Sequence, residues 1–239
     1  MQGQRWTAAA IVALSLGSLA LGSGCATDET SEAARHAELM AAGDTLAAAK
    51  LFHADVEFYR RYAKPGWKLD RDREFTIKDE SQIRANVTFH NLRADRTYSV
   101  HLVWIKPDGG EAFRRYAEVT RREVGLPAGV APDSSGVLPS DFLADLGERY
   151  GTQRAETIGE RLARHPDRTV PVTETTYKTA EEIVGGDRSF SLAQAASATV
   201  ESRFNISREK ERMPGRYLLR IYLDRALFQE VPFTILDPA

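Results

Sequence analysis

The chain predicts a mainly β fold, an antiparallel sandwich carrying a long, partly helical insertion. Three observations lead there. Thr97–Lys106 alternates with period two, putting Tyr98, Val100, Leu102 and Trp104 on one side, and then enters the turn Pro107-Asp108-Gly109-Gly110. Gln82–His90 alternates as cleanly, with Ile83, Ala85, Val87 and Phe89 opposed to Arg84, Asn86, Thr88 and His90. Near the C-terminus, Arg216–Leu223 and Ala226–Leu236 form a strand pair about the turn Asp224-Arg225, with Tyr217, Leu219, Ile221 and Leu223 inward.

The 239 residues suffice for one sizeable core, and 42% hydrophobic with 28% charged residues is ordinary globular composition. A formal charge of −2, with no basic tail or acidic run, offers no global attraction for nucleic acid, and no nucleic-acid partner is expected.

The first 25 residues stand apart. Arg5 precedes an uncharged, largely apolar run from Ala8 to Leu21, followed by Gly22-Ser23-Gly24-Cys25. A run this short reads as an export signal, because a spanning helix needs about 20 apolar residues. Cys25 is the only cysteine, so no intramolecular disulfide forms and stability must come from the core. The segment resembles a bacterial lipoprotein signal, with Cys25 as the lipidated residue. That resemblance implies a lipid anchor to the membrane and an exported, cell-envelope protein. Ala26 after the cysteine resembles the outer-membrane sorting choice. Residues 26–52 are Ala-rich and polar, without a strong apolar stripe, and read as a partly helical tether.

A sandwich domain is expected over 53–237. Asp55–Tyr59 is its first strand and Pro65-Gly66-Trp67 a turn whose indole plugs one end of the core. Glu74–Lys78 is a short edge, and Ala112–Val119 follows the Pro-Asp-Gly turn. Residues 121–195 form the insertion. Gly125–Ser140 is loop, Ser140 opens a helix with Phe142, Leu143, Leu146 and Tyr150, and Thr152–His165 supplies another with Ile158 and Leu162 inward. Thr169–Thr176 is β-prone. Strands resume near Ala198, where Val200, Ser202, Phe204 and Ile206 share a face. Pro232 lacks a backbone donor and marks an edge or bulge in the last strand.

With the insertion set aside, 54–120 and 196–237 contribute 67 and 42 residues. An immunoglobulin-type sandwich takes about 100 residues. Trp104 on the third main strand, Tyr217 opening the penultimate strand and the closing hairpin resemble the immunoglobulin-like or fibronectin-III-like sandwich. The resemblance is one of architecture and carries no activity with it.

One strand breaks the alternation. His101, Val103 and Ile105 on the outer side of Thr97–Lys106 lie beside Leu218, Arg220 and Tyr222 if the two strands are neighbours, with Arg114 at the margin. Such a semi-apolar face demands a cover. Either the chain's own helices or an external partner supplies it. Amphipathic helices must bury a face themselves, so residues 141–164 are expected on the outer side of this sheet. The seven residues form the candidate binding patch, for an envelope protein or a glycan.

No G-x-S-x-G elbow, P-loop or dinucleotide fingerprint appears. His36, His53, His90, His101 and His165 lack zinc-site spacing, although His90 and His101 could meet across a hairpin. No catalytic residue, metal or cofactor is therefore assigned. Turn aspartates (Asp70, Asp72, Asp79, Asp95, Asp108, Asp224) suggest a calcium site only weakly, since Arg71 interrupts the densest run. The leading expectation is a non-enzymatic envelope binding or scaffolding protein. Its alternatives are a hydrolase with His101, Arg220 and Tyr222 in a pocket closed by an insertion carboxylate, or a carbohydrate-recognition module using Trp67, Tyr116 and Tyr222.

Overall fold

The computed structural model describes residues 28–61, 66–78, 82–178, 188–192 and 196–237. The expected signal segment, Cys25 and the tract 179–187 lie outside the described residues. The chain begins with helices α1 (Asp28–Ala41) and α2 (Thr45–Ala48). Strands β1 (His53–Arg61), β2 (Trp67–Asp70), β3 (Glu74–Thr76), β4 (Gln82–His90), β5 (Arg96–Ile105) and β6 (Glu111–Val124) follow. Helices α3 (Ser140–Tyr150) and α4 (Thr152–Arg164) precede β7 (Val170–Lys178), β8 (Arg188–Ser191), β9 (Ala198–Asn205), β10 (Gly215–Leu223) and β11 (Ala226–Leu236).

Period-two alternation sorts these strands into two facing sheets, ordered β2-β1-β4-β9 and β3-β11-β10-β5-β6-β7-β8. Pairing is antiparallel except where β3 lies parallel to the end of β11. β3 reaches only Thr234–Leu236, so Pro232 has β10 on one side and no described strand on the other. A missing donor costs little at such a place.

The two noncontiguous halves close around one interior, in which Trp104 and Tyr217 are both fully buried. Trp104 of β5 stacks on Phe204 of the opposite sheet at 4.9 Å and meets Phe233 edge-on at 5.3 Å. Its Nε1–H donates to Ser202 Oγ on β9 at 2.8 Å, tying one sheet to the other. The Tyr217 hydroxyl donates to the Met213 carbonyl at 2.8 Å, locking the turn that leads into β10.

Trp67 does not plug the core. It lies on the outer side of the smaller sheet under the guanidinium of Arg84, 4.8 Å from its ring centroid, with Arg203 at 5.7 Å. An indole over a cation needs no apolar interior.

The segment 121–195 is less of an excursion than its composition suggests. β6 continues to Val124, and β7 pairs along it from Tyr116↔Lys178 to Val124↔Val170. Arg121 keeps its charge satisfied within the strand, bonding Glu123 and the Leu92 carbonyl. Between β6 and β7, residues 125–169 leave the sheet.

α3 and α4 form a hairpin hinged at Gly151, whose φ of +86° suits glycine. Gly159 allows close approach, since a Cβ there would come within 2.6 Å of Leu143. Leu146, Tyr150, Ile158 and Leu162 build a separate small core with Val170 and Val172. The helices thus lie on the outer side of the larger sheet, as the sequence predicts, but cover its β7 end rather than β5. Their apolar stripes are satisfied by Val124, Val170 and Val172, which extend the sheet beyond where the strand was expected to stop.

Residues 28–52 are docked rather than trailing as a tether. Glu29, Glu32 and His36 recur at helical spacing on one face of α1, and all three meet the sandwich. Glu29 is fully buried and pairs with Arg96, which also holds Asp224 at 2.9 Å. Glu32 accepts from Arg93 and from the Phe52 amide, both at 2.9 Å. Phe52 is itself buried between Phe89 and Tyr98. The docking stripe is polar, and a search for an apolar face passes over it.

Two outcomes test these contacts. Ser202→Ala strands the indole N–H in the interior and is expected to cost about 1–3 kcal/mol in urea-induced unfolding; an unchanged midpoint removes this bond as a tie between sheets. Glu29→Gln is expected to release α1 at less than the roughly 3–5 kcal/mol of a fully buried pair, because Arg93 and Arg96 are part-exposed and can rehydrate. Amide exchange should then rise across residues 28–41 while β4 and β5 stay protected.

Candidate functional site

The seven patch residues come together. In register, β10 lies beside β5 with Leu218↔Ile105, Arg220↔Val103 and Tyr222↔His101. β6 lies on the other flank with Val103↔Arg114 and His101↔Tyr116. Directly opposed side chains on one face are in contact range, so Val103 stands between two arginines.

Val103 and Ile105 are only 1% and 6% exposed although they belong to neither hydrophobic cluster. Their register neighbours are long side chains, Arg114 and Arg220 beside Val103 and Leu218 beside Ile105. Arg114 grips Glu111 with Nε at 3.1 Å and Nη2 at 2.6 Å, and Arg220 Nε donates to Glu230 at 2.6 Å. Each guanidinium is held in place by its acid. The Arg114 hydrogen bond keeps the Glu111 carboxyl below its ordinary range.

Leu218, Tyr222 and Tyr116 remain half-buried, with Leu227 exposed beside Tyr222. The result is a face of tyrosines, aliphatic side chains and two internally neutralised Arg–Glu pairs. His101 lies at its centre, edge-on to Tyr116 at 4.8 Å. Burial lowers the His101 pKa, and the nearby Arg114 and Arg225 lower it further, so the ring is neutral.

Among the described residues, these parts do not assemble the pocket required of a hydrolase. α3 and α4 pack at β7, and the carboxylates beside His101, Arg220 and Tyr222 are Glu111 and Glu230, both engaged by arginines. The carbohydrate triad is also divided. Tyr116 and Tyr222 flank His101 on one sheet, whereas Trp67 is on the other. Among the turn aspartates, Asp70 caps Arg73 and pairs with Arg60, Asp108 caps Gly110, and Asp224 accepts from Ser99 and Arg96. They are spent on turns rather than gathered around a cation.

A second cluster was not visible in the spacing. His90 does not meet His101, because β4 and β5 belong to different sheets. It meets His53, its register partner on β1, with the rings 4.6 Å apart. His36 from α1 stacks on the other side of His53 at 4.0 Å and 7°. Asp55, two residues along β1 and on the same face, lies 3.1 Å from His90 Nε2. The donor atoms of His53, Asp55 and His90 all fall within 4.8 Å of one another. Burial, and then the neighbouring His53, lowers the His36 pKa.

Comparison with protein-family models, curated proteins and solved structures finds no match.

His101 supplies a pH test. The unfolded chain binds a proton at an ordinary histidine pKa near 6.5, and the folded chain binds it more weakly. Stability is therefore full above that pH and declines as the pH falls through the folded pKa. His101→Gln is expected to flatten the fall in Tm between about pH 7 and pH 5; parallel curves for the two proteins would contradict the assignment.

Proposed function

We propose that this chain is a non-enzymatic binding or scaffolding protein of the bacterial cell envelope that docks a protein partner on the outer face of β10, β5 and β6. Export by residues 1–25 and lipid attachment at Cys25 place it at the outer membrane or cell surface. None of the described helices is long and apolar enough to cross a membrane. In this reading the acyl chains hold the protein at the membrane. The observation that carries the proposal is the face itself. His101, Arg114, Leu218, Arg220 and Tyr222 stand side by side on one face of the larger sheet, with the buried Val103 and Ile105 between them in register.

Tyrosine and arginine are the residues that concentrate binding energy at interfaces, and ion-paired arginines present a rigid surface at small entropic cost. The larger fold reading belongs to the same proposal. The order β1-β4-β9 opposite β11-β10-β5-β6 supports an immunoglobulin-like reading, with β2, β3, β7 and β8 added at the sheet edges. The buried Trp104 and the Tyr217–Met213 bond support that kinship.

A photo-crosslinking amino acid in place of Tyr222, in intact cells, tests the assignment. A discrete protein adduct is expected, lost when Arg220→Asp is added, and diminished when Cys25→Ser removes the anchor. Adducts indistinguishable from those formed at the exposed Leu46 would overturn it.

A further inference from the structure

We infer that His53, His90 and Asp55 form a divalent-metal site of the zinc class at the corner where α1 meets β1 and β4, with His36 as a packing wall. The inference is independent of the outer-face proposal, since this cluster is on the smaller sheet.

The placement comes from the backbone. His53 and His90 are direct partners across an antiparallel pair, which sets their side chains next to each other on one face. Asp55 is two residues from His53, and period two returns it to the same face. Zinc ligands at about 2.0–2.2 Å in tetrahedral array have donor atoms roughly 3.3 Å apart. The three donors, all within 4.8 Å of one another, reach that geometry by rotating side chains while the strands stay in place.

The histidine chemistry fits as well. His53 Nδ1 lies 2.8 Å from the Leu51 carbonyl. A carbonyl only accepts, so Nδ1 carries the proton and Nε2 keeps its lone pair for a metal. A backbone carbonyl fixing the tautomer in this way is the usual outer-shell partner of a ligating histidine. Parallel stacking of His36 against one side of the pair holds the His53 ring beside His90. Two imidazoles and one carboxylate suit zinc rather than calcium or magnesium, which prefer all-oxygen shells. Three protein ligands leave a fourth position for water.

His36 also explains what the ion would do. It lies seven residues, about two turns, beyond Glu29 on the same face of α1. Glu29 and Arg96 fasten the start of that helix, and an ordered His53–His90 pair beneath His36 fastens its middle. Metal would thus hold the segment that links the export signal to the sandwich.

The test uses the full-length chain in detergent, stripped with EDTA and titrated with zinc chloride by calorimetry, with circular dichroism to verify folding. One equivalent is expected to bind with micromolar or tighter affinity, to raise Tm, and to slow amide exchange across residues 28–41. His90→Gln and the exposed Asp55→Asn are each expected to weaken binding roughly tenfold or more, and His165→Ala to leave it unchanged. Absence of binding, or equal zinc retention by folded Asp55→Asn and His90→Gln, would assign any ion elsewhere, Cys25 included, and overturn the site.

Discussion

The indole of Trp104 holds this structure together. It is fully buried on the larger sheet, stacks on Phe204 of the smaller one, and donates its only polar hydrogen across the gap to Ser202. Aromatic pairs of this kind contribute about 0.5–1.5 kcal/mol beyond the area they bury. The hydrogen bond adds direction, because it is satisfied only when β5 and β9 are in the correct register across the interior. Phe58, Phe233 and Tyr217 gather around the same ring system, so strands from both ends of the sequence are committed to one arrangement. With no disulfide to restrain the unfolded chain, that packing has to supply the cooperativity.

Charge organises what surrounds this interior. α1 is attached through Glu29, Glu32 and His36 and not through a greasy stripe, and Arg93 and Arg96 receive its first turn. The acids also stand at the positive end of the helix dipole, which favours them there before any arginine is counted. On the outer face of the larger sheet, Arg114 and Arg220 flank Val103 in register while their own charges are met by Glu111 and Glu230. In both places an ion pair does the work that an apolar contact does inside. Such contacts are more easily rehydrated than a core, which makes the α1 corner and the outer face the parts most open to adjustment by a ligand or partner.

The helical hairpin shows how local patterns can be correct while the strand they settle on is not. Leu146, Ile158 and Leu162 are inward as their spacing requires, and the two helices begin at Ser140 and Thr152, although Ser140 is the first helical residue after Pro139 and not the cap. Periodicity says that a face must be buried, not against what. The polar run after Val119 looked like the end of a strand, yet Arg121 and Glu123 pair with each other and the strand carries on to Val124. That extra length, with β7 beside it, gave the helices a floor away from β5.

The amino-acid sequence by itself determined the alternation of the core strands, the inward set around Trp104 and Tyr217, the two amphipathic helices and the semi-apolar face on β5 and β10. Each follows from spacing within a single element, where the backbone period dictates which side chains share a side. Tertiary structure alone decided the docking of α1, the position of the hairpin, the outward place of Trp67 and the meeting of His36, His53, Asp55 and His90. Those depend on which strands become neighbours and in what register, and on charges whose partners are more than 60 residues distant, as Glu29 is from Arg96. Contacts between elements carry no periodic signature along the chain.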